Sequence, residues 1–364
     1  MRFRRLVTLL LILVLGESAC GGSHPTAMPR PRKEQGFNLL IVAEGGVQLK
    51  RDGWIDFHPT SFGAALYRGD QLHPAAEAKV VVLCDNLTVW MVPSGAPSGL
   101  TNGCPQIPEP GLVRGESVIG NTRGATNPLI PYIISPRATK LLSPTPTLRW
   151  NPVPGVKSYS VRISGLDWQD MVNGTEVIYP GDPPLLPGTT YLLIVESDNG
   201  KSSQSEGVPG LGFSLPLEEE TRRIRADITT IAGLKLSDDA EAFALAQLYA
   251  GRGMYSEAIN MLEELADADS QAANVYRALG DHYQQIGLPL LAEQSYLETV
   301  KIVESADDPE VLAEAQARLG TVYLTLGNKV EAIHWLKQAK LGYEALGDEK
   351  KVEEVQNQLM NLSP

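Results

Sequence analysis

The chain has 364 residues, 43% of them hydrophobic and 20% charged, a composition that excludes intrinsic disorder and leaves room for two or three domains. Its formal charge of −12 argues against nucleic-acid binding, which needs a basic face to neutralise phosphates.

The head of the chain reads as an export signal. Arg2, Arg4 and Arg5 precede an apolar run from Leu6 to Leu15 that only Thr8 interrupts. The run is shorter than the roughly 20 residues a spanning helix needs, which fits the middle region of a secretory signal better than an uncleaved anchor. Ser18-Ala19-Cys20-Gly21 closes it. Ala-Cys-Gly resembles the end of a bacterial lipobox, with Cys20 as the residue that would be lipidated. Glu17 stands where that pattern has an apolar residue, so ordinary cleavage stays open beside lipidation. Residues 1–20 are read as signal, and the Pro-rich, basic residues 21–36 as a tether.

Residues 37–104 change to short strand-like runs. NLLIVAE, VQLKR, WIDFH, KVVVLC and LTVWMV are separated by Gly45-Gly46, Asp52-Gly53, Arg68-Gly69-Asp70 and Asp85-Asn86. Asp-Gly between such runs signals a hairpin. Gly46-Val47, Asp52-Gly53, Leu66-Tyr67-Arg68-Gly69-Asp70-Gln71-Leu72 and the strand Val80 to Asp85 together resemble the FecR-type periplasmic domain. The resemblance implies a compartment more than an activity. Cys84 and Cys104 are an even pair in a chain expected to reach an oxidising compartment, and a disulfide between them is the expectation, with two unpaired thiols as the other reading. A metal site from His58, His73 and Cys84 can be imagined, but no two of the five histidines have ligand spacing, and no metal or cofactor is expected.

Pro93 to Pro136 is rich in Pro, Gly, Ser and Asn, and the linker is placed at 105–135. Residues 136–216 read as a second β-module. Trp150 lies on an early strand, a Pro-Gly turn follows, and Tyr159, Val161 and Ile163 alternate on one face. Leu186-Pro187-Gly188-Thr189-Thr190-Tyr191 then leads into Leu193 and Val195. This layout resembles fibronectin type III and related immunoglobulin-like sandwiches, and implies that Tyr191 bonds back to the chain at a strand corner.

From residue 217 helical periodicity takes over and the chain repeats itself. LAQLYAGRGMYSEAINML, LGDHYQQIGLPLLAEQSY and LGTVYLTLGNKVEAIHWL begin at Leu245, Leu279 and Leu319. Each carries a Tyr (Tyr249, Tyr283, Tyr323), a Gly (Gly253, Gly287, Gly327), an Ala (Ala258, Ala292, Ala332) and a large residue (Leu262, Tyr296, Leu336) in the same register. The pattern resembles the tetratricopeptide repeat, whose period is 34 residues. Leu and Tyr four apart share a helix face, Gly ends the first helix, and Ala permits a close helix crossing. The second step is six residues longer, with the addition near Ser305 to Pro309. Charged helices at 217–232 and 349–362 read as caps of the array.

The expected fold class is therefore multidomain β plus α: two small β-modules followed by an α-solenoid at 217–364. The repeat resemblance implies a concave groove that binds a protein partner, lined by Phe243, Gln247, Asn274, Arg277, Asp281, Gln284, Glu314, Arg318 and Thr321. Arg277 and Arg318 could grip a carboxylate from such a partner or be satisfied within the chain. No G-x-S-x-G, H-E-x-x-H or phosphate-loop pattern appears, and no catalytic residues are expected. The leading reading is an envelope scaffold, with the chain exported to the periplasm or cell envelope and, where Cys20 is lipidated, attached to a membrane through it. The alternative is a sensor whose FecR-like module binds a ligand or glycan and relays to the repeats.

Overall fold

The computed structural model describes residues 36–105, 110–114, 124–268 and 270–362. The signal, Cys20 and most of the tether lie outside these residues. Small β-sheets occupy the N-terminal half and eight helices form a tetratricopeptide-like solenoid behind them.

The first β-module contains β1 (Asn38–Glu44), β2 (Val47–Lys50), β3 (His58–Pro59), β4 (Ala65–Leu66), β5 (Gln71–Pro74), β6 (Lys79–Leu83), β7 (Val89–Val92) and β8 (Ser98–Gly99). They make two four-stranded sheets, ordered β4-β1-β6-β7 and β3-β2-β5-β8. Alternation sends Leu40, Val80 and Val82 to the module's own core, which Leu49, Leu66 and Leu72 complete. Leu39, Ile41, Val81 and Leu83 point the other way, yet they too are buried. A strand pair buried on both faces reads as a continuous apolar run, which is what NLLIV and VVVL are.

The second module contains β9 (Ile133–Ser135), β10 (Thr139–Lys140), β11 (Thr147–Trp150), β12 (Tyr159–Ile163), β13 (Gln169–Val172), β14 (Glu176–Ile178), β15 (Thr190–Tyr191), β16 (Leu193–Ser197) and β17 (Phe213–Ser214). Three three-stranded sheets, β10-β17-β15, β14-β11-β9 and β13-β12-β16, enclose a core of Trp150, Tyr159, Val161, Ile163, Tyr191 and Phe213. The Leu186 N–H donates to the Tyr191 hydroxyl at 2.9 Å, the backward bond the sequence suggests for this tyrosine.

The helices are α1 (Glu218–Gly233), α2 (Asp238–Gly251), α3 (Tyr255–Asp267), α4 (Ala273–Gln285), α5 (Pro289–Ala306), α6 (Pro309–Thr325), α7 (Lys329–Leu346) and α8 (Glu349–Leu362). Gly253, Gly287 and Gly327 end the first helix of each pair with φ of 73°, 74° and 81°, a left-handed turn that costs glycine little. Ala258, Ala292 and Ala332 are fully buried. The six added residues lengthen the end of α5 and the start of α6, so both run past the corresponding helices of the preceding repeat.

The stretch read as linker holds more structure than its composition suggests. β9 belongs to a sheet, Gly36 bridges to Val113, and Leu112, Val113, Ala125 and Tyr132 are buried. Segments without periodicity give no sequence signal when tertiary contacts alone fix them.

Candidate protein-interaction groove

Of the groove residues named from the repeat register, the first β-module covers Phe243 and Asn274, while Arg277, Asp281, Glu314 and Arg318 form one polar network and Gln247, Gln284 and Thr321 are half-buried. Residues 51–67 of the first β-module run along the array and contact it from one end to the other. The Phe62 ring lies 5.3 Å from that of Phe243 on α2. Asn274 on α4 donates its side-chain amide to the Phe62 carbonyl at 2.9 Å. Ser61 donates to Asp308 at 2.7 Å, just ahead of α6. Arg51 makes a bidentate pair with Glu310 on α6, at 2.8 and 2.9 Å, and its remaining nitrogen bonds Asp70 of its own module. Trp54 packs among Ala313, Leu336, Tyr343 and Val355, and its indole N–H donates to Asp348 at 3.1 Å. Segment and array run in opposite directions, since Phe62 meets the first repeat and Trp54 the last.

Beneath this segment the polar residues are satisfied within the chain. Arg277 bonds Asn274 at 2.9 Å and Asp281 at 3.0 Å, and lies 3.6 Å from Glu314. Arg318 reaches Asp281 at 3.3 Å. The carboxylate that these arginines grip is therefore Asp281. Burial works against the Asp281 charge, but Arg318 and Arg277 outweigh it and hold the carboxyl below its ordinary range. Burial likewise opposes the Arg51 charge, and Glu310 and Asp70 more than offset it. Gln284 accepts from the Tyr296 hydroxyl at 3.1 Å, and Thr321 donates to its own helix at Ala317. Gln247 is half-buried on α2.

Asp308 and Glu310 lie in the turn that the six-residue addition creates. Asp308 caps α6 through the Val311 N–H at 3.2 Å while it receives Ser61. The longer repeat thus supplies the two carboxylates that hold the inserted segment. Sequence reasoning missed Arg51, Trp54, Ser61, Phe62, Asp308 and Glu310. One signal pointed at them, the acidic addition Asp307-Asp308-Pro309-Glu310; the run Trp54 to His58, read as strand-like, is strand only at His58.

Cys84 and Cys104 are bonded to each other, with Cα atoms 5.3 Å apart. That commits Cys84, while His58 packs edge-on to Trp54 and His73 to Phe57. The described residues contain no cluster of His, Cys, Asp or Glu able to hold a metal ion. Among them no helix is long and apolar enough to cross a membrane.

The helical region is also what known proteins resemble. Residues 271–345 match the tetratricopeptide repeat family. No curated protein matches the chain. Among solved structures, MamA is 18% identical over 40% of this chain and 95% of its own, with a TM-score of 0.28. A putative kinesin light chain repeat protein of Podosopora anserina is 16% identical over 40% and 88%, with a TM-score of 0.29. YrrB, described as a TPR protein with an unusual peptide-binding site, is 16% identical over 40% and 81%, with a TM-score of 0.23.

The second β-module holds the repeats at another place. Arg137, fully buried, donates to the Ile286 and Gly287 carbonyls at the end of α4, at 2.7 and 3.2 Å, and pairs with Glu206 at 2.5 Å. Arg149 pairs with Glu263 on α3 at 2.7 Å. Glu257 on α3 accepts the Leu142 N–H at 2.8 Å, and burial pushes its carboxyl up to about 7. Two β-modules and the solenoid thus make one compact unit.

Proposed function

We propose that this chain is a non-enzymatic scaffold of the bacterial cell envelope, in which the repeat region binds a protein partner. The observation that carries the reading is the tetratricopeptide solenoid itself, a module of protein interaction, matched by no catalytic family. The basic-then-apolar head and the Cys84–Cys104 bond support export to an oxidising compartment, and Cys20 followed by the Pro-rich tether supports attachment to a membrane. In this reading the FecR-like and fibronectin-like modules set the position and rigidity of the repeats.

In-cell photo-crosslinking of the full chain tests it. Photoreactive residues replace Thr321 on α6 and Val330 and Leu341 on α7, the last two being 77% and 59% exposed. Control positions are Met171 and Met91 on the β-modules. Adducts from the helical positions to one envelope protein are expected, and their absence contradicts the scaffold reading. One observation favours the sensor alternative: residues 51–67 touch every repeat, so a ligand that shifts the first module would act directly on the array. Adducts confined to that module would favour it.

A further inference from the structure

We infer that the Arg51–Tyr67 segment is a built-in ligand of the repeat groove, a latch that an outside partner must displace, and that such a partner carries the same recognition chemistry. That chemistry is a basic residue together with a hydroxyl–aromatic–glycine turn. The inference deepens the scaffold reading, because it states how the groove would be opened and to what.

The groove specifies this ligand group by group. Glu310 takes a guanidinium in bidentate fashion, a geometry that ammonium cannot reproduce. Asp308 takes a hydroxyl proton, and Asn274 donates to the Phe62 carbonyl at 2.9 Å and to the Ser61 hydroxyl at 3.4 Å. Phe243 receives an aromatic ring. The next residue must be glycine on two counts. Gly63 has a φ of +83°, and a Cβ there would lie 2.7 Å from the Asn274 side chain and 3.0 Å from the Phe243 ring.

The attachment of this segment differs from that of the rest of its module. The sheet face of Leu39, Ile41, Val81 and Leu83 joins the helices in a shared apolar core. Residues 51–67 hold on through ion pairs and hydrogen bonds together with two rings, Trp54 against α6, α7 and α8 and Phe62 against Phe243, and their regular structure amounts to β3 and β4, two residues each. Asp52, Gly53, Ile55 and Asp56 at the tip are exposed, Ile55 at 78%. Little regular backbone and an exposed tip are the marks of a segment that opens before the core does. Intramolecular tethering gives the segment a high effective concentration, so the groove stays closed until a partner of the same chemistry competes.

The test uses the full mature chain and a labelled synthetic peptide with the sequence of residues 51–67, read by fluorescence anisotropy. The wild-type groove should be filled and bind the peptide weakly. The variant Arg51→Ala with Phe62→Ala should bind it at least about tenfold more tightly, because the competing state is depopulated. Adding Glu310→Gln to that variant should abolish the gain. A folded double variant that binds no better than wild type would overturn the inference, as would equal, tight binding to both. Should the double variant not fold, hydrogen exchange of the unmodified chain decides. Residues 54–60 should lose protection in an opening of lower free energy than the one that frees β1 and α2. Exchange of all three only together would make the contact a permanent interface and end the proposal.

Discussion

At the scale of single residues, the helix crossings depend on side chains that are missing. A Cβ added to Gly280 would meet the Tyr296 ring at 2.5 Å, and one added to Gly320 would meet Leu336 at 2.6 Å. Gly280→Ala should therefore cost about 1–3 kcal/mol by overpacking. Gly233→Ala, with nothing within 4 Å, should be neutral or stabilise by up to about 1 kcal/mol. Thermal melts of the two variants check both. The repeat register was legible because Leu, Tyr, Gly and Ala recur. The glycine one place after the leading Leu, present in two repeats and replaced by Ala246 in the first, carried an equally readable signal. His282 was not legible as special. Burial lowers its pKa to about 4, and its Nε2 has no hydrogen-bond partner. The unfolded chain takes up this proton near pH 6.5 and the folded chain resists it until about 4. Stability should accordingly fall as pH drops through that window, by at most about 1.4 kcal/mol per pH unit. Glu257, raised to about 7, contributes a slope of opposite sign, so the His282 slope is read as the difference between denaturant titrations of the unmodified chain and His282→Gln at several pH values; no pH-dependent difference would mean that His282 sets none of it.

At the scale of elements, each added or irregular piece has an identifiable task. The six-residue addition was visible as a break in the 34-residue period, but its purpose was not, because Asp308 and Glu310 act on a segment some 250 positions away in sequence. Arg137 is the counterpart on the other module. It satisfies carbonyls at the end of α4 that the helix itself cannot, and it neutralises the buried Glu206. Arg137→Ala should cost about 3–5 kcal/mol, because Glu206 would be left buried and unpaired. Arg223→Ala, on an exposed i, i+4 pair of α1, should change stability little. Chemical denaturation of the two proteins makes the comparison. Nothing in the pattern around Arg137 distinguishes it from a surface arginine, since its partners come from Glu206 and from a helix end in another module.

For the whole molecule, the two β-modules do not hang beside the repeats as beads on a string. The first closes the groove with residues 51–67 and shares an apolar core with α2 through the outer face of β1 and β6. The second grips α3 and the end of α4. Composition and periodicity distinguished the β part from the helical part, because each has its own hydrophobic pattern. How they join was hidden, because the joining residues are single polar side chains and the back of a sheet that alternation would assign to solvent. The continuous apolar runs of β1 and β6 held the clue that both faces are covered. The segment around Phe62 packs into the groove of its own chain. Placing a photoreactive phenylalanine analogue at position 62 of the full chain and mapping the adducts by mass spectrometry is the direct measurement. The structure predicts intramolecular adducts within α2 and α4, next to Phe243 and Asn274; adducts to other proteins or to none of these helices would contradict it.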